Sequence, residues 1–242
     1  MTRSPDAPDP ATRKRVWDFK RVIDLAGSVL LGIASVMLIT RLVQDWMQPP
    51  PTPSAAMVDV TGETIASTHL SNVKGDGPVA VIEFSDFECP ACQMYHNEQF
   101  SRIHASLVDS GDIRYIAMHF PLDNIHLRAR DAAIAAECAG RQQHFWPMHS
   151  ALFAAAPDLS PARLRLEAGT LGIDTGVFND CLTGEGPDKV ASDVAEGRRI
   201  GVTGTPTFFV GRVLGDGSVA LSAKIVGAST AADIRSIMAQ MR

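Results

Sequence analysis

The chain has 242 residues, 45% of them hydrophobic, and a formal net charge of -5, enough apolar material for one domain with a real core plus short appendages. The charge is unevenly spread: residues 1–21 carry six Lys/Arg (Arg3, Arg13, Lys14, Arg15, Lys20, Arg21) against three Asp, whereas from residue 45 onward fifteen Lys/Arg face twenty-three Asp/Glu. An acidic main body without a basic stripe argues against a nucleic-acid partner, because phosphate binding needs a positive face.

In chain order, residues 1–21 form a polar tail with no hydrophobic period. Leu25–Thr40 is sixteen residues without a charge, extended by Val22, Ile23, Leu42 and Val43 around Asp24 and Arg41. A bilayer span needs about 20 apolar residues, so residues 22–44 are predicted to be a transmembrane anchor, with Trp46 at the interface. The basic residues precede the span, which places the tail in the cytoplasm and the rest of the chain outside it. The reading is a single-pass protein of the inner membrane with a periplasmic or extracytoplasmic domain. A cleaved signal peptide and a buried core helix are the alternatives; the nearest small-residue cleavage site, Ser54-Ala55-Ala56, lies well past the apolar run.

Pro49, Pro50, Pro51 and Pro53 make residues 45–56 a stiff linker, and a folded domain is expected over 57–242. Val79–Phe84 predicts a buried strand, a helix follows from Cys89 to about Val108, and Ile113–Met118 is a second strand. The pattern then turns helical for the stretch from about 124 to 200. Asn124 is the expected cap of a helix reaching Ala139; His144–Ala155 is a second; Ser160-Pro161 opens a third; Asp174 opens a fourth; and Asp188–Ile200 is a fifth. Thr207–Val210 and Val219–Val226 are strands separated by Gly211 and the Gly215-Asp216-Gly217 turn, and Thr230 caps a C-terminal helix. This order predicts an α/β fold: a central mixed sheet with helices on both faces and a helical insertion at about 124–200.

Cys89-Pro90-Ala91-Cys92 falls where a buried strand meets a helix. A helix N-terminus presents unpaired N–H groups and the positive end of its dipole, which stabilise a thiolate; the thiolate is the reactive form of cysteine. Pro90 suits the first helical turn. Cys89 is then the exposed attacking sulfur and Cys92 the resolving one. Zinc binding with His96 and His104, and a disulfide without catalytic role, remain alternative readings of the same pair.

The segment Phe84–Cys92 with Tyr95-His96, together with Gly201–Val210, resembles the active-site segment and cis-proline loop of DsbA/DsbG-like disulfide oxidoreductases, over roughly residues 57–242. The resemblance implies a thioredoxin-like fold with an inserted helical subdomain, a catalytic Cys89/Cys92 pair, and Glu83 as the buried acid that takes the Cys92 proton. It further implies a cis Pro206, with Thr205 offering its backbone to substrate, and no dissociable cofactor. Implied partners are thiol- or disulfide-containing exported proteins and a membrane redox partner, either a quinone-linked oxidase or a membrane electron carrier. Pro90-Ala91 lacks the His of strongly oxidising members, and Glu88 adds a negative charge beside Cys89; both are expected to raise the thiol pKa and make the disulfide less oxidising than in those members, and Thr205 resembles the isomerase and reductase members as much as the oxidases. The direction of electron flow stays open. A dedicated reductase in cofactor (cytochrome) assembly and a non-catalytic peptide-binding module are the competing functions.

Cys138 and Cys181 fall on separate predicted helices, and in an exported protein two leftover cysteines are expected to pair; separate buried thiols or a second redox pair are the alternatives. His119, His126, His144 and His149 show no ligand spacing, and no metal site is expected. Arg128, Arg130, Arg198 and Arg199 read as solvated surface.

Overall fold

The computed structural model describes residues 35–41 and 56–241. The chain divides into two units, Met1–Ser54 and Ala55–Arg242. In the first, a helix (α1) covers residues 35–41 with exposed side chains. The remainder of the expected anchor, the tail and nearly all of the linker lie outside the described residues. Among the described residues, no helix is long and apolar enough to cross a membrane.

The second unit is built on one sheet of seven strands: β1 (Ala56–Asp59), β2 (Thr64–Ile65), β3 (Asn72–Lys74), β4 (Val79–Ser85), β5 (Ile113–His119), β6 (Thr207–Val213) and β7 (Val219–Val226). Their order is β1-β7-β6-β4-β5-β3, with β2 also on β7. The β4–β5 pair is parallel and the others are antiparallel, so the sheet is mixed, as expected. The sequence reading found the four central strands and missed β1, β2 and β3. Those three have two to four residues each, too short for a period-two pattern to emerge.

Period-two alternation in β4 splits its side chains between two cores. Val81 faces a layer with Tyr95, Phe100, Ile103, Tyr115, Phe208 and Ile237. Ala80, Ile82 and Phe84 face the opposite layer with Met118, Phe120, Val194, Val202 and Phe209. The first layer is covered by α2 (Pro90–Tyr95), which continues through a π-helical turn (His96–Phe100) into α3 (Ser101–Ile103) and a second π turn (His104–Val108), and by α9 (Ala231–Gln240). Thr230 caps α9 in a reciprocal capping box with Asp233.

Between β5 and β6 lie α4 (Ala129–Gly140), α5 (Phe145–Ala155), α6 (Pro161–Thr170), α7 (Thr175–Thr183) and α8 (Gly186–Arg199). Ser160 and Asp174 cap α6 and α7 as expected. Asn124 does not cap α4, which begins five residues later at Ala129 without a side-chain cap of its own. Residues 120–128 form a loop instead, because their polar groups are claimed by the segment before Cys89. Arg199 is also more than solvated surface: it donates to Glu63 and Glu196 at 2.9 and 2.8 Å and to the Thr64 carbonyl at 2.7 Å, fastening β2 to α8.

Candidate active site

Where β4 ends, Asp86 organises the turn. Its fully buried carboxylate accepts three hydrogen bonds of 2.8 Å, from the Glu88 N–H, the Leu122 N–H and His126 Nδ1. Its carbonyl takes the Cys89 N–H at 3.2 Å. Glu88 reaches across to the Arg128 N–H at 2.6 Å. The residue just before Cys89 is therefore tied to the residue that opens α4, and its carboxylate is committed to that amide. Asp86 and His126 went unassigned in the sequence; a carboxylate three residues before Cys89 was the available signal, and its partner lies forty positions away.

Cys89 is the N-cap of α2, with Pro90 in the first turn. Cys89 keeps 6% of its surface exposed and Cys92 keeps 0%, so Cys89 is the sulfur a second molecule can reach. Both are free thiols. Cys89 Sγ donates to the Thr205 carbonyl at 3.3 Å, and the Thr205-Pro206 bond is cis. That loop is aimed by the end of α8: the Val202 N–H bonds the Gly197 carbonyl at 2.8 Å and the Gly201 N–H bonds Arg198 at 3.1 Å. This closing pattern requires a left-handed residue at 201, where glycine sits at φ 80°.

The two thiols are electrostatically opposite. A hydrogen bond from the Cys92 thiol, opposed by burial and helped by Thr205 and the Cys92 and Ala91 N–H groups, lowers the Cys89 pKa to about 5. Burial, with the neighbouring Cys89, pushes Cys92 well above its ordinary value. The buried Thr205 hydroxyl has no partner in the thiol state and is thus free to donate to a thiolate. The helix-terminal N–H groups and the Cys92 thiol thus hold Cys89 below an ordinary thiol, as the helix N-terminus implied, and Glu88 is turned toward the Arg128 N–H. Alkylation of reduced protein by iodoacetamide is expected to titrate with a midpoint near pH 5; a midpoint above 8, the range of an ordinary thiol, contradicts the assignment.

Below the pair lies Glu83, 1% exposed. Burial raises its pKa to about 7, against the opposing hydrogen bond from Tyr115. Tyr115 Oη donates to Glu83 Oε2 at 2.5 Å, and Tyr95 Oη lies 3.0 Å from Tyr115 Oη. Neither tyrosine was singled out as a partner of Glu83. Tyr95 follows Cys92 by three residues and so shares its helix face, but Tyr115 arrives from β5 through strand pairing.

In the insertion, Cys138 on α4 and Cys181 on α7 are joined by a disulfide. His96 stacks on Phe153 with ring centroids 4.5 Å apart, inside an aromatic cluster that also holds His149 and Phe100. Among the described residues, the group with convergent metal-ligating atoms is His119, Glu137 and Asp193, whose atoms lie within 4.8 Å of one another. It includes neither cysteine. These groups already satisfy one another: His119 pairs with Glu137 at 2.9 Å, Asn72 donates to Glu137 at 2.6 Å, and Lys189 bonds Asp193. A cation there would have to displace Lys189.

Residues 74–223 match the family described as Thioredoxin. Among curated relatives, a Na(+)/H(+) antiporter NhaA 3 of Salinispora tropica is 38% identical over 66% of this chain and 24% of its own length, so the chain spans about a quarter of that protein. Disulfide bond formation protein D of Bacillus subtilis is 28% identical over 57% of this chain and 65% of its own. Among solved structures, alpha-DsbA1 of Wolbachia pipientis superposes with a TM-score of 0.59 at 24% identity, covering 70% of this chain and 89% of that one. Oxidised BdbD of Bacillus subtilis gives 0.58 at 22%, covering 76% and 96%.

Proposed function

We propose that this chain, a member of the thioredoxin family, is a DsbA-like thiol–disulfide oxidoreductase that transfers disulfides to exported proteins through Cys89 and Cys92. What supports the direction is the donor set on Cys89 Sγ, the Ala91 and Cys92 N–H groups and the Cys92 thiol, which holds the thiol below its ordinary range. A stabilised thiolate favours the reduced pair, and so makes the disulfide form an electron acceptor.

In that direction a substrate thiolate attacks Cys89 Sγ of the Cys89–Cys92 disulfide. Cys92 leaves as a thiolate and takes a proton from Glu83. A second substrate thiolate then attacks the substrate sulfur of the mixed disulfide, and Cys89 leaves as a thiolate held by its N–H donors. Two electrons have passed from the substrate dithiol to the pair. Thr205 and cis Pro206 face Cys89 and offer backbone to an extended peptide, while Pro90 and Ala91 shape the rim. The domain works outside the cytoplasm on an anchor at residues 22–44, and a membrane redox partner of the quinone-linked type removes the electrons. The apolar run of the sequence and the Cys138–Cys181 disulfide, a feature of oxidising compartments, support that setting.

The oxidised full chain, mixed in excess with a reduced, unfolded two-cysteine protein, is expected to yield its disulfide within minutes while Cys89 becomes alkylatable. No transfer, or net reduction of the oxidised form of that protein by the dithiol at equal concentrations, contradicts the proposed direction.

A further inference from the structure

Glu83 has to change charge in a dry place. It is 1% exposed, and the exchange cycle needs it ionised at one step and protonated at another. A buried carboxylate needs donors, whereas a buried carboxylic acid also needs an acceptor for its own O–H. A lysine or arginine partner could only donate, and would favour the ionised state alone.

What meets Glu83 is a pair of phenols. Tyr115 Oη stands 2.5 Å from Glu83 Oε2 and Tyr95 Oη stands 3.0 Å from Tyr115 Oη. Both rings are buried, Tyr115 at 0% and Tyr95 at 1% exposure. A phenol donates and accepts, so the chain of three oxygens can run in two polarities. With Glu83 ionised, Tyr95 donates to Tyr115 and Tyr115 to Glu83. With Glu83 protonated, its O–H donates to Tyr115 and Tyr115 donates to Tyr95. Reversal moves hydrogens and leaves the heavy atoms in place, and a low-dielectric chain of this kind strengthens each bond it contains. Ser85 on the same strand, His119 at the end of β5 and Cys92 on α2 also bear on these charges; the β6 neighbour of Glu83 is the apolar Phe208.

We propose that the Tyr115–Tyr95 pair is a reversible hydrogen-bond partner that lets buried Glu83 accept and return the Cys92 proton, making both tyrosines positioning residues of the resolving step. The proposal rests on the exchange chemistry inferred above for Cys89 and Cys92. In that step the Cys92 thiol gives its proton to the Glu83 carboxylate. The Cys92 thiolate then attacks the Cys89 sulfur of a mixed disulfide. The Cys89–Cys92 bond forms, and the other sulfur departs as a thiolate with the electron pair.

The test uses the reduced full chain and a chromogenic aryl disulfide, 5,5′-dithiobis(2-nitrobenzoate), followed by stopped flow between pH 5 and 9. The first thiolate released reports attack by Cys89, and the second reports resolution by Cys92. Tyr115→Phe is expected to slow the second phase severalfold near pH 6.5 and to move its pH midpoint up by about one unit, because the ionised Glu83 has lost a charge-assisted donor. The rates should converge with wild type by pH 9. Tyr95→Phe, which keeps the donor to ionised Glu83 but removes the acceptor that Tyr115 uses when Glu83 is protonated, should disfavour the protonated state and move the midpoint by less and downward. An unchanged midpoint in both variants, or a slowing equal at every pH, overturns the proposal; should Tyr115→Phe fail to fold, Tyr95→Phe decides by the same criterion. Absence of the first phase in the wild-type chain would instead defeat the exchange reading itself.

Discussion

Cys89→Ser is expected to abolish disulfide transfer, with a loss on the order of 10³-fold or more, since no other sulfur at the site can form the mixed disulfide. Cys92 keeps 0% of its surface exposed, and burial holds its thiol protonated. It therefore cannot replace Cys89 as the attacking group. Cys92→Ala should behave differently. Cys89 still attacks, but nothing resolves the adduct, so mixed disulfides with client proteins accumulate and appear as reducible high-mass bands on a non-reducing gel. A peptide-binding module on the same fold would keep its function in Cys89→Ser and form no such bands. Retention of activity in Cys89→Ser contradicts the assignment of roles, as does Cys92→Ala forming no adducts while Cys89 still alkylates.

Glu83→Gln should separate stability from catalysis. The folded-state pKa of Glu83 is about 7 against an ordinary 4.5, so the native state holds a proton that the unfolded chain releases. Between those two values stability falls as pH rises, because the unfolded state binds fewer protons. A shift of this size corresponds to about 3 kcal/mol once both values have been passed. Glutamine fills nearly the same space, can still accept from Tyr115, and has no charge to gain. Its stability relative to wild type is thus expected to rise from pH 4.5 to pH 7 by about 3 kcal/mol and then level off. Urea denaturation of the reduced proteins at several pH values measures this directly. A difference that is flat with pH would show that Glu83 does not titrate in the folded state as described. Resolution by Cys92 should slow in the same variant, since its proton acceptor is gone.

The central architecture was legible in the sequence because its elements are long and periodic. Val79–Phe84 and Ile113–Met118 could hardly be anything but buried strands, and the caps at Ser160, Asp174 and Thr230 announced their helices. The expected helix start at Asn124 failed for a non-local reason, while its end at Ala139-Gly140 held. Asp86 and Glu88, some forty residues earlier, claim the Leu122 and Arg128 amides and His126, and hold 120–128 as a loop beside the cysteines. Of the site, Cys89 and Cys92 stood out through their spacing at a strand–helix junction, and Glu83 through the family resemblance. Tyr115 did not, because it meets Glu83 only through the pairing of β4 with β5. The lowered Cys89 pKa was legible in outline. The helix N-terminus and the second cysteine announced its donors, whereas the facing Thr205 contact came only from the folded chain.

The most direct measurement is the equilibrium of the Cys89–Cys92 pair with reduced and oxidised glutathione. The account predicts a single two-electron transition, with a potential well above the roughly -270 mV of thioredoxin-type reductants and toward the roughly -120 mV of the strongest known dithiol oxidant. A potential near the thioredoxin value would reverse the proposed direction of transfer. Failure to form any Cys89–Cys92 disulfide across that range would contradict the claim that the two cysteines are a redox centre.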